Sequence, residues 1–449
     1  MQKLLIMLLS VAGCVVFGAT PQLSNVTMTQ DVRTHVVTIS YTVDQPAVIT
    51  LDLFVRGAPL GRGALDAVTG ACDCRVEAGT HQFTWKPYVS LPDEPERTIE
   101  IEDGGAQAKI TAYAVDCPPD WMVADLRQDH AKEVKYYACS NSIPGGIGND
   151  VYKTDKIVMR KIPARGVDWM MGSPVGEQGR IADSSYTRYE PYHRVSFTND
   201  YYMAVYETTQ GQLYNVSGST YSSFTYEDDS PKRPVDNITW GRVRGGNQVA
   251  GDDNSWSTVV GVGSEWPDEG HVVDMERAIG KFRSRTGVEF DLPTTAQWEF
   301  ACRAGTSRAF NNNKDIQKYE TERGDDPHLR EVGWFKYNAS EGGASNQTHV
   351  VGMKMPNAWG LYDMHGNVWE WVLDNVAPEG FYTLLPVVEP VGADVATRSS
   401  SLNKHKRGGS FGSDPYQCRS SAMPATSGWW PSLGNGFRLA APAYAPNLD

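Results

Sequence analysis

The sequence predicts an α+β protein in two parts, a small antiparallel β-sandwich followed by a larger domain with little regular structure. Apolar and polar side chains alternate with a period of two between about residues 20 and 117. Beyond Lys156, strand-like runs become rare, and Gly, Trp, Asn and Asp fill long irregular stretches. The length of 449 residues, at roughly 150 residues per domain, is enough for two or three domains with cores of their own.

The composition narrows the classes of function. The chain has 41 Lys and Arg against 54 Asp and Glu, a net charge of −13. This balance argues against a nucleic-acid binder, because such proteins need a basic face. No long apolar run follows the first segment, so we expect no transmembrane segment.

The first segment resembles an export signal. Residues 1–19 place Lys3 before an apolar run and end on the small residues Gly18 and Ala19, which is typical of a secretory signal peptide. The alternative is lipoprotein processing, because the segment ending at Cys14 resembles a bacterial lipobox. In both cases we expect an exported protein, either periplasmic, at the cell surface or secreted.

Residues 20–117 predict an immunoglobulin-like β-sandwich. Apolar side chains alternate with polar ones over residues 37–43 and again over 49–55, with a turn signal between the two runs. A Pro-Pro pair then marks a boundary, and we interpret residues 118–155 as a connecting region.

Two helices are predicted in the second domain. Over residues 274–285, four apolar residues recur at helical spacing, namely Met275, Ala278, Ile279 and Phe282. Thr294 and Gln297 have the spacing of a capping box, which begins a second, short helix. The loops around these helices need hydrogen bonds, disulfides or ions to hold them.

The second domain carries a series of motifs in a fixed order. They are MMGSP at 170–174, HRV at 193–195, VYETT at 205–209, LPTTAQWE at 292–299, PNAWGLYDMHGNVWEW at 356–371, RGGS at 407–410 and GFR at 436–438. Over residues 156–442 the series resembles the formylglycine-generating enzyme, or sulfatase-modifying factor, domain family. The resemblance implies an irregular C-type-lectin-like α+β fold.

The same resemblance bears on catalysis. It implies that the oxidases of this family bind one copper ion through two cysteines after the RGGS motif, and soft thiolates do select Cu(I). Here only Cys418 follows that motif. The resemblance also implies a structural disulfide between Cys302 and Cys418. We therefore expect no bound copper, name no catalytic residue and leave open whether the protein is an enzyme.

Two enzymatic alternatives remain. One is a true formylglycine-generating oxidase of sulfatases, and the other is a related non-haem metal oxygenase. An iron site would need two histidines and a carboxylate that converge. His193, His349 and His365 are scattered along the chain, and we expect each to hydrogen-bond a loop.

The other cysteines give no unique pairing. An oxidising compartment favours disulfides. The resemblance assigns no partner to the four remaining cysteines, so their pairing stays open; they are Cys72, Cys74, Cys117 and Cys139.

Calcium is the cofactor that the sequence favours. Asp363 and Glu370 flank a glycine turn, and hard oxygen donors of this kind suit Ca²⁺. The resemblance places a structural ion here, held by the side chains of Asp363 and Glu370 and by the backbone carbonyls of Gly366 and Val368. The alternative is that the two carboxylates cap backbone N–H groups without a metal.

What remains is a binding surface. Trp429 and Trp430 lie in the closing loop, where paired tryptophans stack on a sugar or hold an extended peptide when exposed, and fill the core when buried. We therefore expect a non-catalytic exported protein that recognises a polypeptide or a glycan. A structural component of the cell surface is a third alternative.

Overall fold

The computed structural model describes most of the chain. The described residues are 20–55, 58–59, 68–86, 106–180, 190–245, 273–317, 324–341, 346–376, 387–388, 403–428 and 430–448. The predicted signal peptide and Trp429 lie outside them. The described residues form two compact units, the first comprising those up to Ala124, Glu133–Asn149 and those from Ala443, and the second Asp125–Lys132 and Asp150–Pro442.

The first unit consists of strands. Its strands are β1 (Leu23–Gln30), β2 (Val37–Val43), β3 (Ala47–Val55), β4 (Ala58–Pro59), β5 (Val68–Gly70), β6 (Cys74–Val76), β7 (Gly79–Trp85), β8 (Ala106–Ala114), β9 (Trp121–Asp125, whose last residue belongs to the second unit) and β10 (Val134–Tyr137).

Two antiparallel sheets enclose the core of this unit. One has the order β1-β2-β7-β5, and in the other β3 pairs with β4, β6 and β8. Alternate residues of β2 are buried, including Ile39 and Tyr41, and they share one core with Ile49, Phe83 and Ile110. The predicted β-sandwich is therefore confirmed, because the period-two pattern directs one face of each sheet inward.

The second unit mixes strands and short helices. Its strands are β11 (Lys156–Ile162), β12 (Asp168–Met171), β13 (His193–Ser196), β14 (Tyr201–Ala204), β15 (Trp369–Asn375), β16 (Val387–Val388), β17 (Asn403–Arg407), β18 (Ala425–Ser427), β19 (Asn435–Phe437) and β20 (Ala440–Pro442). Its α-helices are α1 (Gln210–Ser217), α2 (Trp240–Arg244), α3 (Ala278–Thr286), α4 (Thr295–Arg303) and α5 (Pro327–Val332).

One sheet positions the candidate site. Its order is β18-β17-β15-β19, with β15 antiparallel to β17 and parallel to β19. The register places Glu370 opposite Arg407 on one side and opposite Gly436 on the other. The fold class is thus α+β, as predicted, with long loops between short elements.

The capping box of α4 is confirmed. The Thr294 hydroxyl accepts a hydrogen bond from the Gln297 amide at 3.1 Å, and the Thr294 amide donates to Oε1 of Gln297 at 2.8 Å. Both residues are buried, so the bonds form where water does not replace them.

The helix predicted from residue 274 begins later. It starts at Ala278, whereas Met275 lies in a turn and is 49% exposed. The Asp274 carbonyl accepts a hydrogen bond from the Arg277 amide at 3.1 Å, which closes the turn. This turn lies against Gly280, where a methyl group would overlap the backbone of Asp274 and Met275.

Among the described residues, no helix is long and apolar enough to cross a membrane.

Candidate functional site

A buried network of ion pairs connects helix α4 to strand β17 of the sheet. Glu299 accepts hydrogen bonds from Arg303 at 2.9 Å and from Arg407 at 3.0 Å, and all three side chains are buried. Burial alone would raise the pKa of Glu299, but the two guanidinium groups hold it below its ordinary value. The residue before Glu299 on α4 is Trp298, whose Nε1 donates to Oε2 of Glu370 at 2.6 Å.

The two carboxylates of the predicted calcium site are both buried but differ in their partners. Oδ2 of Asp363 accepts a hydrogen bond from the Gly352 amide at 2.6 Å, whereas its Oδ1 has no hydrogen-bond partner among the described residues. Glu370 is bonded by the Trp298 indole and, through both oxygens, by the Arg438 guanidinium at 2.7–3.0 Å. Asp363 is therefore the carboxylate with spare acceptor capacity.

A third buried carboxylate, Glu207, belongs to this cluster and was missed from the sequence. It accepts hydrogen bonds from Asn367 Nδ2 at 2.7 Å and from the Val368 amide at 3.0 Å, so the glycine turn wraps around it. Its only sequence signal is a lone carboxylate within the VYETT motif. We call Glu207, Asp363 and Glu370 the acidic cluster.

Among the described residues, Arg438 is the one cation that forms an ion pair with the three carboxyl groups of the acidic cluster. Arg438 pairs directly with Glu370, and its other N–H groups donate to the carbonyls of Ala204, Val205 and Tyr362 at 2.7–2.9 Å. Burial raises the pKa of Asp363 to about 6, and burial together with its acidic neighbours raises the pKa of Glu207 well above its usual range. Either protonation or a bound cation would compensate the excess charge.

The acidic cluster fits a hard divalent cation in part. Asp363 offers an unsatisfied buried oxygen, and Glu207 supplies a second acidic group at the same turn. Glu370 is instead engaged by Arg438 and Trp298. The ligand set of Asp363, Gly366, Val368 and Glu370 stays a prediction, and the geometry favours Asp363 as its anchor.

Calcium is expected to stabilise the wild-type protein and not the Asp363→Asn variant. At about a hundredfold excess over Kd, a ligand bound only to the folded state adds about 2.7 kcal/mol. Thermal unfolding of chelator-treated protein, with and without added Ca²⁺, measures this difference. Asp168→Asn, at a half-exposed carboxylate, is the control that should respond like wild type. Equal midpoints with and without Ca²⁺ in the wild type would remove the ion from the site.

Another pair of metal-ligating side chains lies in the second unit, where β9 ends. A carboxylate oxygen of Asp125 and a ring nitrogen of His130 lie within 4.8 Å of each other. Asp125 is already bonded by Arg127 at 2.7 Å and lies 3.3 Å from the Lys156 ammonium. These cations compensate the buried carboxylate, so nothing identifies a particular ion there.

The predicted disulfide between Cys302 and Cys418 is wrong in this structure, because both residues carry free thiols. The Sγ of Cys302 lies 3.5 Å from the Ser420 hydroxyl and 3.6 Å from His365 Nε2. Cys418 instead packs into an apolar cluster with residues such as Phe310. The two thiols thus have separate sets of neighbours. Cys72, Cys74 and Cys139 are also free.

The three histidines considered for iron each bond a backbone carbonyl. His193 Nδ1 lies 2.7 Å from the Pro191 carbonyl oxygen, and His349 Nε2 lies 2.8 Å from that of Ala339. His365 Nδ1 lies 2.7 Å from the Cys418 carbonyl, which requires a proton on that nitrogen. His365 Nε2 therefore accepts the hydrogen bond from the Asn311 amide at 3.0 Å.

We expect a fourth histidine, His405 on β17, to make the stability depend on pH. It is completely buried, and burial lowers its pKa to about 3. As the pH falls below about 6.5, this histidine takes up a proton in the unfolded chain but not in the folded chain. Its contribution to the free energy of unfolding is therefore fully present above that pH and is lost as the pH drops towards 3. The loss is roughly 1.4 kcal/mol per pH unit in this window.

The His405→Leu variant should lack this contribution. Urea unfolding at pH 7 and pH 5 is expected to show that the wild type loses about 2 kcal/mol more than the variant. Comparing differences between the two proteins cancels the other titrating groups. Parallel losses in both proteins would contradict the assignment to His405.

The structure locates one of the two predicted groove tryptophans. Trp430 is 61% exposed, which favours the surface over the core alternative, and Trp429 lies outside the described residues. The backbone is hydrogen-bonded on each side of Trp430, at Gly428 and at Gly434. The Gly428 carbonyl accepts from the Trp240 amide at 2.9 Å, and the Gly434 carbonyl accepts from the Trp369 amide at 2.7 Å.

A family model matches most of the second unit. Residues 164–443, more than half of the chain, match the sulfatase-modifying factor enzyme 1-like domain. The chaperone protein LppX of Paenibacillus barcinonensis is 28% identical over 197 residues, which are 41% of this chain and 68% of that protein. The formylglycine-generating enzyme of Streptomyces coelicolor is 31% identical over 158 residues, 33% of this chain but less than half, 46%, of that enzyme.

A solved structure, Treponema denticola variable protein 1, is also similar. It is 24% identical, and the match covers 65% of this chain and 96% of that protein with a TM-score of 0.43. The family assignment rests on the match over residues 164–443 and on the motifs that the structure brings together around the acidic cluster. The chain belongs to the sulfatase-modifying factor enzyme 1-like domain family.

Proposed function

We propose that this protein is an exported, non-catalytic member of its family that binds polypeptides. One observation carries the proposal: the segment after the RGGS motif contains a single thiol, and that thiol is buried. A mononuclear Cu(I) site of the kind implied by the resemblance needs a pair of thiolates.

The surroundings of Cys418 do not favour metal binding. Its Sγ lies so close to Gly409 that a methyl group there would overlap it, and the residue is completely buried. Burial raises the pKa of the Cys418 thiol far above its ordinary value, so the thiol stays protonated. In the same segment, the hydroxyls of Ser410 and Ser413 lie 3.2 Å apart and bond each other.

The similarity to a protein named as a chaperone supports a polypeptide ligand rather than a glycan. The exposed part of the 428–434 loop points the same way, because it combines Trp430 with aliphatic residues such as Pro431 and Leu433. An aliphatic and aromatic surface suits apolar side chains better than the hydroxyl groups of a sugar.

Two assays separate the proposal from oxidase activity. The full chain, reduced and loaded with Cu(I), is incubated with a cysteine-containing sulfatase peptide, and mass spectrometry looks for formylglycine. We expect no product and less than stoichiometric copper. Product formation that Cys418→Ser abolishes, while Cys139→Ser at the exposed thiol does not, would establish an oxidase.

Ligand class is measured in parallel on peptide and glycan arrays with the labelled full chain. We expect retention by peptides that contain apolar residues, and binding to glycans alone would contradict the proposal. Export is tested by mass spectrometry of the mature protein. A chain that begins near residue 20 supports a signal peptide, and a lipid on Cys14 supports the lipoprotein alternative.

A further inference from the structure

Two lysines of β17 lie on tryptophan rings at one face of the site sheet. Lys404 Nζ is 3.8 Å from the ring centre of Trp240, and Lys406 Nζ is 4.8 Å from that of Trp369. Successive side chains of a strand point to opposite faces, so these two lysines share one face. Both tryptophans are buried, and each ring makes a cation–π contact with the ammonium group above it.

Within the part of the chain that the structure describes, no carboxylate balances the charge of Lys406. Its ammonium donates to Oδ1 of Asn435 at 3.1 Å, and no Asp or Glu of the described residues forms an ion pair with it. The side chain is largely buried, and this burial lowers its pKa to about 8. Burying a cation without an anion is unfavourable, so a site of this kind gains when an anion enters it.

The 428–434 loop joins the same two tryptophans. Its ends are bonded to the backbone of Trp240 and of Trp369, the residues whose rings carry the lysines. Between these ends it exposes Trp430 by 61% and Leu433 by 47%. The two lysines and the exposed loop residues are therefore attached to the same pair of tryptophans.

We propose that Lys406, with Lys404 beside it, binds a carboxylate of a polypeptide ligand, while the exposed side chains of residues 430–433 contact an apolar residue next to that carboxylate. This inference rests on the proposed function and specifies its ligand. The carboxylate is either the C-terminus of the chain that is bound or an acidic side chain within it.

Charge complementarity selects the ligand chemistry. The protein as a whole has a net charge of −13, so an anionic ligand is repelled by most of the surface and attracted at a local cationic spot. The ammonium of Lys406 retains N–H groups beyond the one that bonds Asn435, and a carboxylate accepts such bonds strongly. The exposed aliphatic side chain of Leu433 favours a peptide, rather than an acidic sugar, as the molecule that carries this carboxylate.

The test uses the full chain and four versions of one twelve-residue apolar peptide. The peptides combine a free or amidated C-terminus with an internal Glu or Gln. Binding is measured by isothermal titration calorimetry at low salt. We expect the peptide with neither carboxylate to bind at least tenfold more weakly than the peptide with both. The two peptides with one carboxylate each identify which carboxylate the protein binds.

Three variants show whether Lys406 carries the effect. Lys406→Met should lose about tenfold in affinity for the carboxylate peptides only, and Lys406→Arg should keep most of it. Lys354→Met is the matched control, because Lys354 also lies 3.8 Å above a tryptophan ring, that of Trp334, in the same unit. Circular dichroism establishes that each variant is folded.

The outcomes separate this inference from the proposed function. Peptide binding that ignores both the carboxylates and Lys406→Met overturns the inference and leaves the proposed function standing. Absence of binding to any peptide overturns both. Binding of an oligogalacturonate that depends on Lys406, with no peptide binding, replaces the polypeptide by an acidic glycan.

Discussion

Replacing Arg438 with methionine is expected to destabilise the second unit by about 3–5 kcal/mol, because it leaves buried carboxylates without their cation. Arg438 is completely buried, contacts both oxygens of Glu370 and donates to three backbone carbonyls. Methionine fills much of the volume but cannot donate a hydrogen bond. The free energy of unfolding, obtained from urea denaturation at pH 7, measures the effect.

Two further proteins make this result interpretable. Arg194→Met breaks an ion pair with Asp168 whose two side chains are half-exposed, so its cost should stay within about 1 kcal/mol. The double variant Arg438→Met with Glu370→Gln should recover part of the loss, because it removes the unpaired charge as well. A single variant as stable as Arg194→Met would show that the acidic cluster does not depend on Arg438.

Gly366→Ala is expected to cost about 3 kcal/mol or more, from two causes that act together. Gly366 has a φ of +104°, which residues with a side chain rarely adopt. A methyl group there would also overlap the backbone of Trp334, and its carbonyl oxygen most closely. The turn between Asp363 and Glu370 passes directly against that segment, so one of the two must move.

Gly305→Ala separates the two causes. Gly305 has a similar φ of +91°, but no atom lies within 4 Å of the position that its methyl group would take. We therefore expect a loss of only about 1 kcal/mol there, from backbone conformation alone. Equal losses in the two variants, measured by thermal unfolding, would mean that the close approach at Gly366 costs little.

Several local features could be predicted because short-range chemistry decides them. The alternation over β2 and the capping box of α4 both depend on neighbours at fixed spacing, and both are present in the structure. The early start predicted for α3 was wrong, and this too is a local effect. Met275 has helical spacing to the later apolar residues, but it lies in a turn that begins at Asp274 and packs against Gly280, so the helix begins only at Ala278.

The site could be predicted only in part. Asp363 and Glu370 lie in one motif, so their proximity followed from the sequence. Glu207, more than 150 positions earlier, joins them only because Asn367 and Val368 fold around its carboxylate. The Cys302–Cys418 bridge failed because a family resemblance says nothing about where each thiol points.

The sequence by itself determined the strand pattern of the first unit, the capping box of α4 and the presence of a single cysteine after RGGS, since periodicity and local spacing carry this information, and its resemblance to a known family implied the α+β fold of the second unit. The tertiary structure decided which charges meet. It paired Glu370 with Arg438, left Asp363 with a spare oxygen and placed Lys406 on Trp369 without a carboxylate among the described residues. Such pairings depend on how distant segments pack, and burial then sets the strength of each interaction by removing water.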